Sequence, residues 1–305
     1  MPVLFFMAAR YNEKQEVKTM DKTITLVATD LDGTLLNNKK QVTPATREAM
    51  KQLKNHGILF GIASGRPVES GQILVKDWGL EDDISFLIGM NGGVIYDMRT
   101  KEKEQYHLMD GHLILEIMDH FKDMDVIFQV MVGNDRYVNK STEETRAHAK
   151  LFGENEILVD LEEFLKDRKV NKLILYMDPS YMDAVKERAA TFSNPEYTSF
   201  PTAANLYEYV DPLINKGFGM QKVCEHFGIS PDHVVAFGDA SNDKEMLEYV
   251  GCGVAMYNAS EDIKEIADVI SDYTNEQDAL AHFVNEKILP ANPDRLERDA
   301  NVKMG

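Results

Sequence analysis

An apolar, partly β-branched run over residues 24–29 predicts a buried strand. It ends in two acids, Asp30 and Asp32, and because side chains alternate faces along a strand, both carboxylates can point the same way. Gly33 then allows a sharp turn, and Thr34 adds a hydroxyl and an amide beside the acids. A strand that merely ends in a polar turn does not need two acids at its mouth, so the pattern indicates a functional site.

The next segments alternate between helix and strand at short spacing. Thr43 and Pro44 open a helix that Gly57 stops, and a strand over residues 58–63 follows at once. That strand ends in a small polar turn beginning with Ser64. The alternation predicts a parallel sheet, whose strands have their carboxyl ends along one crevice. Ser64 should therefore face the same cavity as the two acids.

The pattern changes after a third predicted strand at residues 85–89. From about residue 105 we expect a helix and three further strands, with more helices between them. These elements are a helix over 110–121 and strands over 126–132, 170–177 and 205–210. Ser64 and Lys216 lie 152 positions apart, far more than one crossover connection needs. An inserted domain is the economical explanation.

The parallel pattern resumes at Lys216, which begins a helix that stops at Gly228. A strand over 233–237 then leads into the acidic turn Gly238-Asp239-Ala240-Ser241-Asn242-Asp243, and a strand over 253–256 and a helix over 260–267 complete the series. The tail after about Lys287 has two prolines and mixed charge, and we expect it to be loosely attached.

Composition narrows the class of partner. A length of 305 residues suits two domains, or one domain with a large insert, and 44% hydrophobic residues is ample for packed cores. The net charge of -18 repels nucleic acid backbones and anionic membrane surfaces, so we expect neither as a partner. A small anionic substrate would have to be met by a local cluster of cations, metal or backbone amides.

The cysteines and the N-terminal residues indicate the cellular compartment of the protein. Only Cys224 and Cys252 occur, so no disulfide framework is expected, and two buried free thiols in a reducing cytoplasm are the simplest interpretation. Residues 3–9 are apolar but too short to span a bilayer and lack a preceding basic region. We interpret residues 1–19 as an N-terminal extension, with Met20 as an alternative start and a signal peptide as the less favoured alternative.

An Asp-x-Asp-Gly sequence also occurs in calcium loops, where two registers are possible. With Asp30 and Asp32 as the third and fifth ligands, Ala28 and Lys39 would take the first and twelfth positions, and neither can ligate a cation. A loop starting at Asp30 would place Gln41 where the bidentate glutamate belongs. An EF-hand is therefore excluded in both registers.

Four segments are predicted to deliver polar groups to one cavity: Asp30 with Asp32, Ser64, Lys216, and Asp239 with Asn242 and Asp243. Acids about 4 Å apart repel by about 4 kcal/mol at an effective dielectric of 20, so the cluster requires a cation. Hard oxygen ligands with room for water and substrate favour Mg2+ over a closed calcium cage or a zinc site.

A metal, a lysine and Ser and Asn donors around a carboxylate form surroundings suited to a phosphoryl group. In this arrangement we expect Asp30 to act as the nucleophile that forms an aspartyl phosphate. Asp32 would protonate the leaving oxygen and later activate water.

Four motifs, taken in order, resemble those of the haloacid dehalogenase superfamily. They are Asp30-Leu-Asp32-Gly-Thr34, Ser64-Gly-Arg66, Lys216, and Gly238-Asp239-Ala-Ser-Asn242-Asp243. The inserted region resembles that of the Cof-like branch of Mg2+-dependent sugar-phosphate phosphatases with a type IIB cap. Two segments outside the insert support the same resemblance: Asn91-Gly92-Gly93 and Val254-Ala-Met256-Tyr-Asn258-Ala259. The resemblance implies an α/β fold, with a Rossmann-like parallel-sheet core domain at residues 20–104 and 208–287, an inserted α+β cap domain at 105–207, and a C-terminal tail at 288–305.

The resemblance also implies roles for individual residues. Asp30 and Asp239 would ligate Mg2+ through their side chains and Asp32 through its carbonyl. Asp243 would orient the cluster without ligating the metal. The phosphate would be held by the Leu31 amide together with Ser64, Gly65, Lys216 and Asn242. The expected partner is a small phosphorylated metabolite, and the sequence does not define an oligomeric state.

Two departures from the family pattern concern substrate range more than chemistry. Tyr257 stands where such proteins usually carry a small residue, where it would narrow the site or simply pack. The segment 272–278 lacks the usual glycine. Five cap residues are conceivable contacts of the leaving group, although ordinary surface or packing roles are favoured for each: Arg136, Tyr137, Asn139, Asn205 and Tyr207.

Two alternatives to a phosphatase stay open. A sugar phosphomutase would share both acids and the cap class, but it must protect its aspartyl phosphate from water. A non-catalytic phosphosugar-binding module would be expected to lack catalytic acids, and both are present here.

Overall fold

The computed structural model describes residues 23–293, and these form two compact units. The first comprises residues 23–64, 75–103 and 215–293, and the second comprises residues 65–74 and 104–214. The expected N-terminal extension, Met20 and the last tail residues lie outside the described residues. No helix within 23–293 has both the length and the apolar character needed to cross a membrane.

The N-terminal elements follow from the apolar runs and caps of the sequence. All five residues of the first strand are buried, and the side chain of Thr43 caps the first helix by accepting the N–H of Thr46. The elements are β1 (Leu26–Asp30), α1 (Pro44–Asn55), β2 (Leu59–Ala63), α2 (Val68–Asp77), β3 (Phe86–Gly89), β4 (Val94–Asp97) and β5 (Lys103–Gln105).

The second unit packs three of its helices against one face of a largely antiparallel sheet. Its core includes Val130 and Leu173 from neighbouring strands and Ile117 and Phe121 from the helical layer. The elements are β6 (Met109–Asp110), α3 (Gly111–His120), β7 (Ile127–Val132), β8 (Asp135–Val138), α4 (Glu143–Leu151), β9 (Asn155–Leu158), α5 (Leu161–Leu165), β10 (Lys169–Val170), β11 (Lys172–Tyr176), α6 (Met182–Ala190), β12 (Thr198–Ala203) and β13 (Leu206–Val210). The six-stranded order is β12-β13-β11-β7-β8-β9, with only β8 and β9 parallel.

The chain then completes the first unit. Its elements are α7 (Lys216–Phe227), β14 (Val234–Gly238), α8 (Lys244–Tyr249), β15 (Cys252–Ala255), α9 (Glu261–Ile266), β16 (Val269–Ile270), α10 (Ala279–Phe283) and α11 (Leu289–Ala291), with a π-helical turn at Val284–Ile288. Short 3-10 turns lie at Met90–Gly92, Pro179–Tyr181, Pro231–His233, Ser241–Asp243 and Asn275–Gln277.

One eight-stranded sheet forms the centre of the first unit, in the order β16-β15-β14-β1-β2-β3-β4-β5. Strand β1 pairs in parallel with both β2 and β14, so the first strand of the sequence lies in the middle of the sheet. Strand β3 pairs with β4 in the antiparallel direction. Cys224 and Cys252 are buried free thiols, as expected.

Four strands of the second unit are absent from the sequence prediction: Met109–Asp110, Asp135–Val138, Asn155–Leu158 and Thr198–Ala203. Two of them have no buried residue, and the other two bury only Met109, Arg136 and Val138, so no apolar alternation marks them. Their pairing partners, and not their own sequences, define them as strands.

The prediction of a loosely attached tail after Lys287 is wrong for the residues that the structure describes. Ile288 is fully buried and Asn292 is nearly so. The Asn292 amide also donates to the Ile288 carbonyl at 2.7 Å. The helical segment therefore extends the core of the first unit beyond the predicted domain end.

Candidate active site

The polar groups predicted to share a cavity lie at the carboxyl ends of parallel strands and at the start of one helix in the first unit. Asp30 is the last residue of β1, and Ser64 directly follows β2. Asp239 directly follows β14, and Lys216 begins α7. Because these strands run parallel, their ends meet at one edge of the sheet.

Lys216 lies at the centre of the site. Its Nζ is 2.6 Å from Asp30 Oδ1 and 2.6 Å from Asp243 Oδ1, and its side chain is fully buried. The side chain of Asn215 caps α7 by accepting the N–H of Phe218, which fixes where Lys216 leaves the helix. Burial alone would lower the pKa of Lys216, but Asp243 and Asp30 raise it above its ordinary value, so the side chain remains an ammonium.

Asp243 uses both carboxylate oxygens to order the acidic turn. Oδ1 accepts from Lys216, while Oδ2 accepts the backbone N–H groups of Asp239 at 3.0 Å and Ala240 at 3.1 Å. Its side chain is fully buried. Asp243 thus connects the lysine to the turn that presents Asp239.

Asp239 is held by the loop that follows β1. The Thr34 hydroxyl donates to Asp239 Oδ1 at 2.6 Å. Gly33 lies beside the same carboxylate with φ +94°, and a Cβ on it would be 2.4 Å from Asp239 Oδ2. The position therefore needs glycine for both its conformation and its space.

Three carboxylates could share a cation here. Ligand oxygens of Asp30, Asp239 and Asp243 all lie within 4.8 Å of one another. Burial, followed by the nearby acids, raises the pKa of Asp30 well above its ordinary value despite the Lys216 ammonium. Burial likewise raises the pKa of Asp239 to about 6, against the hydrogen bond from Thr34. Hard oxygen donors whose ionisation is opposed by burial fit a divalent cation such as Mg2+.

Asn91 adds a group that the sequence indicated only as part of a motif. Its N–H donates to the Ser64 carbonyl at 3.1 Å, and its side-chain oxygen accepts from Asn242 Nδ2 at 3.4 Å. Asn91 has φ +54°, a conformation that asparagine tolerates better than most residues. The turns that carry Ser64 and Asn242 are thereby linked. Gly65 belongs to the second unit, so its phosphate role stays a prediction.

Asp32 is the most solvent-accessible of the predicted catalytic acids. Its side chain is 36% exposed, and Lys40 Nζ lies 2.8 Å from its Oδ1. The neighbouring Leu31 is buried, and its carbonyl accepts the Leu36 N–H at 3.0 Å. Sequence reasoning missed Lys40, because a lysine in a charged turn gives no periodic signal.

Tyr257, where the family usually has a small residue, is 52% exposed. Its ring contacts Lys264, whose Nζ lies 5.7 Å from the ring centroid. Its neighbour Asn258 donates to the Gly33 carbonyl at 2.9 Å. The loop after β15 is therefore bound to the loop after β1.

The conceivable leaving-group contacts in the second unit have internal partners. The residues are Arg136, Tyr137, Asn139, Asn205 and Tyr207. Arg136 is buried and pairs with Glu154, and Tyr137 stacks on Phe164 at 4.2 Å. Asn139 Oδ1 accepts from the Phe128 N–H, and the buried Tyr207 hydroxyl lies 3.1 Å from Ser199 Oγ. The Asn205 carbonyl accepts from the Met177 N–H. Packing explains Arg136, Tyr137, Asn139 and Tyr207 without a substrate.

The second unit also contains a buried ion pair. Lys172 Nζ lies 2.9 Å from Glu208 Oε1, with both side chains almost fully buried. The same Nζ donates to the Gly65 carbonyl at 3.2 Å, and Thr202 Oγ1 donates to Glu208. The ion pair thereby ties residues 65–74 to the sheet of the second unit.

A buried lysine between carboxylates, beside oxygen ligands for a hard cation at the end of a parallel sheet, defines a site for phosphoryl chemistry. Comparison with known proteins agrees with this class. Residues 27–284 match the haloacid dehalogenase-like hydrolase family. The protein therefore belongs to the haloacid dehalogenase superfamily, in its Cof-like branch, and it is a phosphatase.

Individual relatives match along nearly their whole length. The Bacillus subtilis (strain 168) protein named 5-amino-6-(5-phospho-D-ribitylamino)uracil phosphatase YitU is 28% identical over 267 residues, covering 86% of this chain and 96% of the relative. A haloacid dehalogenase-like hydrolase from Bacteroides thetaiotaomicron has a TM-score of 0.78 at 25% identity, covering 86% of this chain and 99% of that chain. A subclass IIB sugar phosphatase has the same fold, with a TM-score of 0.75 at 22% identity over 87% of this chain and 100% of that chain. The α/β fold prediction is confirmed.

Proposed function

We propose that the protein is a Mg2+-dependent phosphatase that hydrolyses small phosphate monoesters of the sugar-phosphate class through an aspartyl phosphate. The observation that carries the proposal is Lys216, fully buried and 2.6 Å from both Asp30 and Asp243. One ammonium cannot balance the acids around it, so the site has capacity for a cation and for the charge of a phosphoryl group.

In the first step, Asp30 attacks phosphorus as the bond to the leaving oxygen breaks, and Asp32 gives that oxygen its proton. In the second step, Asp32 takes a proton from water as the water oxygen attacks the phosphorus of the aspartyl phosphate. Asp30 is released and inorganic phosphate forms. Lys216 stabilises the charge that the phosphoryl oxygens carry in both steps.

The remaining predicted roles belong to the same proposal. Asp30 and Asp239 would hold Mg2+ with their side chains and Asp32 with its carbonyl, and the bound ion would neutralise phosphoryl charge. The Leu31 amide, Ser64, Gly65 and Asn242 would hold the phosphate with Lys216. The second unit would be the type IIB cap that supplies contacts to the leaving group.

Charge and cysteine content support a proposal for the cellular compartment and the partners. A net charge of -18 opposes nucleic acid and anionic membrane partners, and two buried free thiols suit a reducing cytoplasm. A small phosphorylated metabolite in the cytoplasm is the partner consistent with both.

A panel of phosphate esters with Mg2+ and with EDTA tests the proposal. The panel would hold hexose, pentose and triose phosphates, nucleotides, pyridoxal phosphate, a chromogenic aryl ester and a phosphoribityl ester like that named for the Bacillus relative. We expect Mg2+-dependent release of inorganic phosphate from at least one sugar phosphate. An isomeric hexose phosphate as the main product would instead indicate a phosphomutase. Binding without turnover of any ester would indicate a phosphosugar-binding module.

A further inference from the structure

The loop between Gly33 and Gln41 folds back so that Lys40 contacts Asp32, the acid just before the loop. Lys40 Nζ lies 2.8 Å from Asp32 Oδ1, although the Lys40 side chain is 63% exposed. Asp32 stands at the mouth of the site, where solvent competes for its carboxylate. A contact across this loop therefore limits the directions in which Asp32 can point.

The turn that carries Lys40 is closed by hydrogen bonds to Asn37. The Asn37 carbonyl accepts the Lys40 N–H at 2.8 Å, and the Asn37 N–H donates to the Gln41 carbonyl at 3.1 Å. The Asn37 side-chain oxygen accepts the N–H groups of Lys39 and Gln41, each at 3.0 Å. Lys40 has φ +58°, in the left-handed region that a side-chain-bearing residue seldom occupies.

Two asparagines fix the same loop from outside. Asn258 Nδ2 donates to the Gly33 carbonyl at 2.9 Å, and Asn275 Nδ2 donates to the Leu36 carbonyl at 2.8 Å. The asparagines are linked to each other, because the Asn275 N–H donates to Asn258 Oδ1 at 3.0 Å. The loop that carries Lys40 is thus held in place by two residues that are distant from it in the sequence.

The contact between Lys40 and Asp32 is not explained by a gain in the stability of the folded protein. Exposed ion pairs contribute little to the free energy of unfolding, and a lysine in the left-handed backbone conformation lowers it. Strained residues that persist in this way tend to cluster at functional sites.

We propose that Lys40 is a positioning residue that aims the Asp32 carboxyl group at the leaving oxygen. The inference rests on the proposed function, in which Asp32 protonates that oxygen while its bond to phosphorus breaks. The carboxylate left on Asp32 after this transfer is the group that Lys40 contacts in the structure. In this proposal Lys40 acts through Asp32 and not on the phosphoryl group itself.

The test compares esters that differ in their need for an acid. An alkyl phosphate requires protonation of its leaving oxygen, whereas a nitrophenyl phosphate leaves as a stable anion. The ratio kcat/KM reports only the steps up to departure of the leaving group. Lys40→Asn should lower kcat/KM for the alkyl ester by about tenfold, a part of the roughly 10²–10⁴-fold that a positioned general acid supplies. The value for the aryl ester should change by less than about twofold.

Matched variants separate positioning from folding and from substrate binding. Asparagine tolerates the left-handed conformation but cannot reach Asp32, so Lys40→Asn removes the contact and not the turn. Lys40→Arg should restore most of the alkyl activity, and Lys39→Asn, one residue away in the same turn, should behave as the unchanged protein. An equal loss on both esters, or a raised KM with unchanged kcat, would overturn the assignment. Failure of the unchanged protein to hydrolyse either ester would instead overturn the proposed function.

Discussion

Lys216 Nζ lies 2.6 Å from Asp30 Oδ1, although 186 positions separate the two residues in the chain. The same nitrogen is also bonded to Asp243, so one positive charge is shared between two buried carboxylates. Removing that charge would leave two acids in a place where water cannot solvate them. The contact therefore matters for folding as well as for chemistry.

Lys216→Met should lower the free energy of unfolding by about 3–5 kcal/mol, the usual cost of breaking a buried ion pair from one side. Urea denaturation measures the change. Lys222→Met is the matched control, because Lys222 lies on the same helix and pairs with Glu225 near the surface. Lys222→Met should lower the free energy of unfolding by no more than about 1 kcal/mol. If the two variants lost similar amounts of unfolding free energy, the buried contact of Lys216 would contribute no more than a surface ion pair.

Asp30→Asn should abolish turnover and leave the fold intact. The amide has nearly the same shape but cannot attack phosphorus, so phosphate release should fall by at least about 10³-fold. Circular dichroism and the Tm should show a folded protein, since the substitution removes a carboxylate whose ionisation burial opposes. Substantial residual turnover would remove Asp30 from the role of nucleophile.

The sequence allowed the central site to be predicted because parallel strands place their ends together. Asp30, Ser64, Lys216 and Asp239 could each be assigned to a strand end or helix start from local patterns alone. The contact between Lys40 and Asp32 could not, because it depends on a left-handed residue and on hydrogen bonds from distant asparagines. No local periodicity encodes such contacts.

The same distinction explains the errors in the fold. Strands β9 and β12 are half-exposed or exposed throughout, so they resemble loops until their neighbours are known. Ile288 was assigned to a loose tail because two prolines follow it closely, yet it is fully buried. Composition describes a segment by itself, whereas burial depends on what lies against it.

Removing the metal should make stability depend on pH in a defined direction. A carboxyl group whose pKa is higher in the folded protein than in the unfolded chain takes up its proton first in the folded state, so stability falls as pH rises between the two values. For Asp239 that interval runs from 3.8 to about 6, and Asp30 extends it upward. In EDTA the Tm should therefore fall as the pH rises from about 4 to about 8.

A variant isolates this effect from the titration of histidines elsewhere. In Asp30→Asn the decline in Tm should be shallower, because one of the two groups no longer titrates. Protons and Mg2+ compete for the same oxygens, so the Mg2+ concentration that gives half-maximal activity of the unchanged protein should rise as the pH is lowered. An activation constant that does not vary with pH would argue against these acids as ligands.

Gly33→Ala should damage activity more than stability. Its Cβ would lie 2.4 Å from Asp239 Oδ2 and displace a proposed metal ligand. A displacement of about 1 Å at such a site costs roughly 10²-fold in rate. Gly79→Ala is the control, because Gly79 also has a positive φ but has no atom within 4 Å of the added Cβ. The control should lose about 1–2 kcal/mol of stability and keep its kcat/KM. Equal kinetics in the two variants would contradict the steric argument.

Asp278 explains how the chain does without a glycine in the segment 272–278. It has φ +58°, and its carboxylate accepts a hydrogen bond from the Thr43 hydroxyl at the start of α1. Asp278→Gly should change the free energy of unfolding by less than about 1 kcal/mol, since relief of strain offsets the lost hydrogen bond. Asp278→Val should lose at least about 2 kcal/mol, because a β-branched residue fits this conformation poorly. Thermal denaturation of both variants would show whether they differ in this order.

The central place of β1 has a consequence for synthesis of the protein. Its neighbour β14 is translated roughly 200 residues later, which at about 5–20 residues per second takes roughly 10–40 s. During that time the nascent chain exposes one open edge of β1, a strand whose residues are all buried in the folded protein, and an unwanted partner can pair there. A ribosome-bound chain should therefore recruit chaperones and stay catalytically silent until Asp243 has emerged from the exit tunnel.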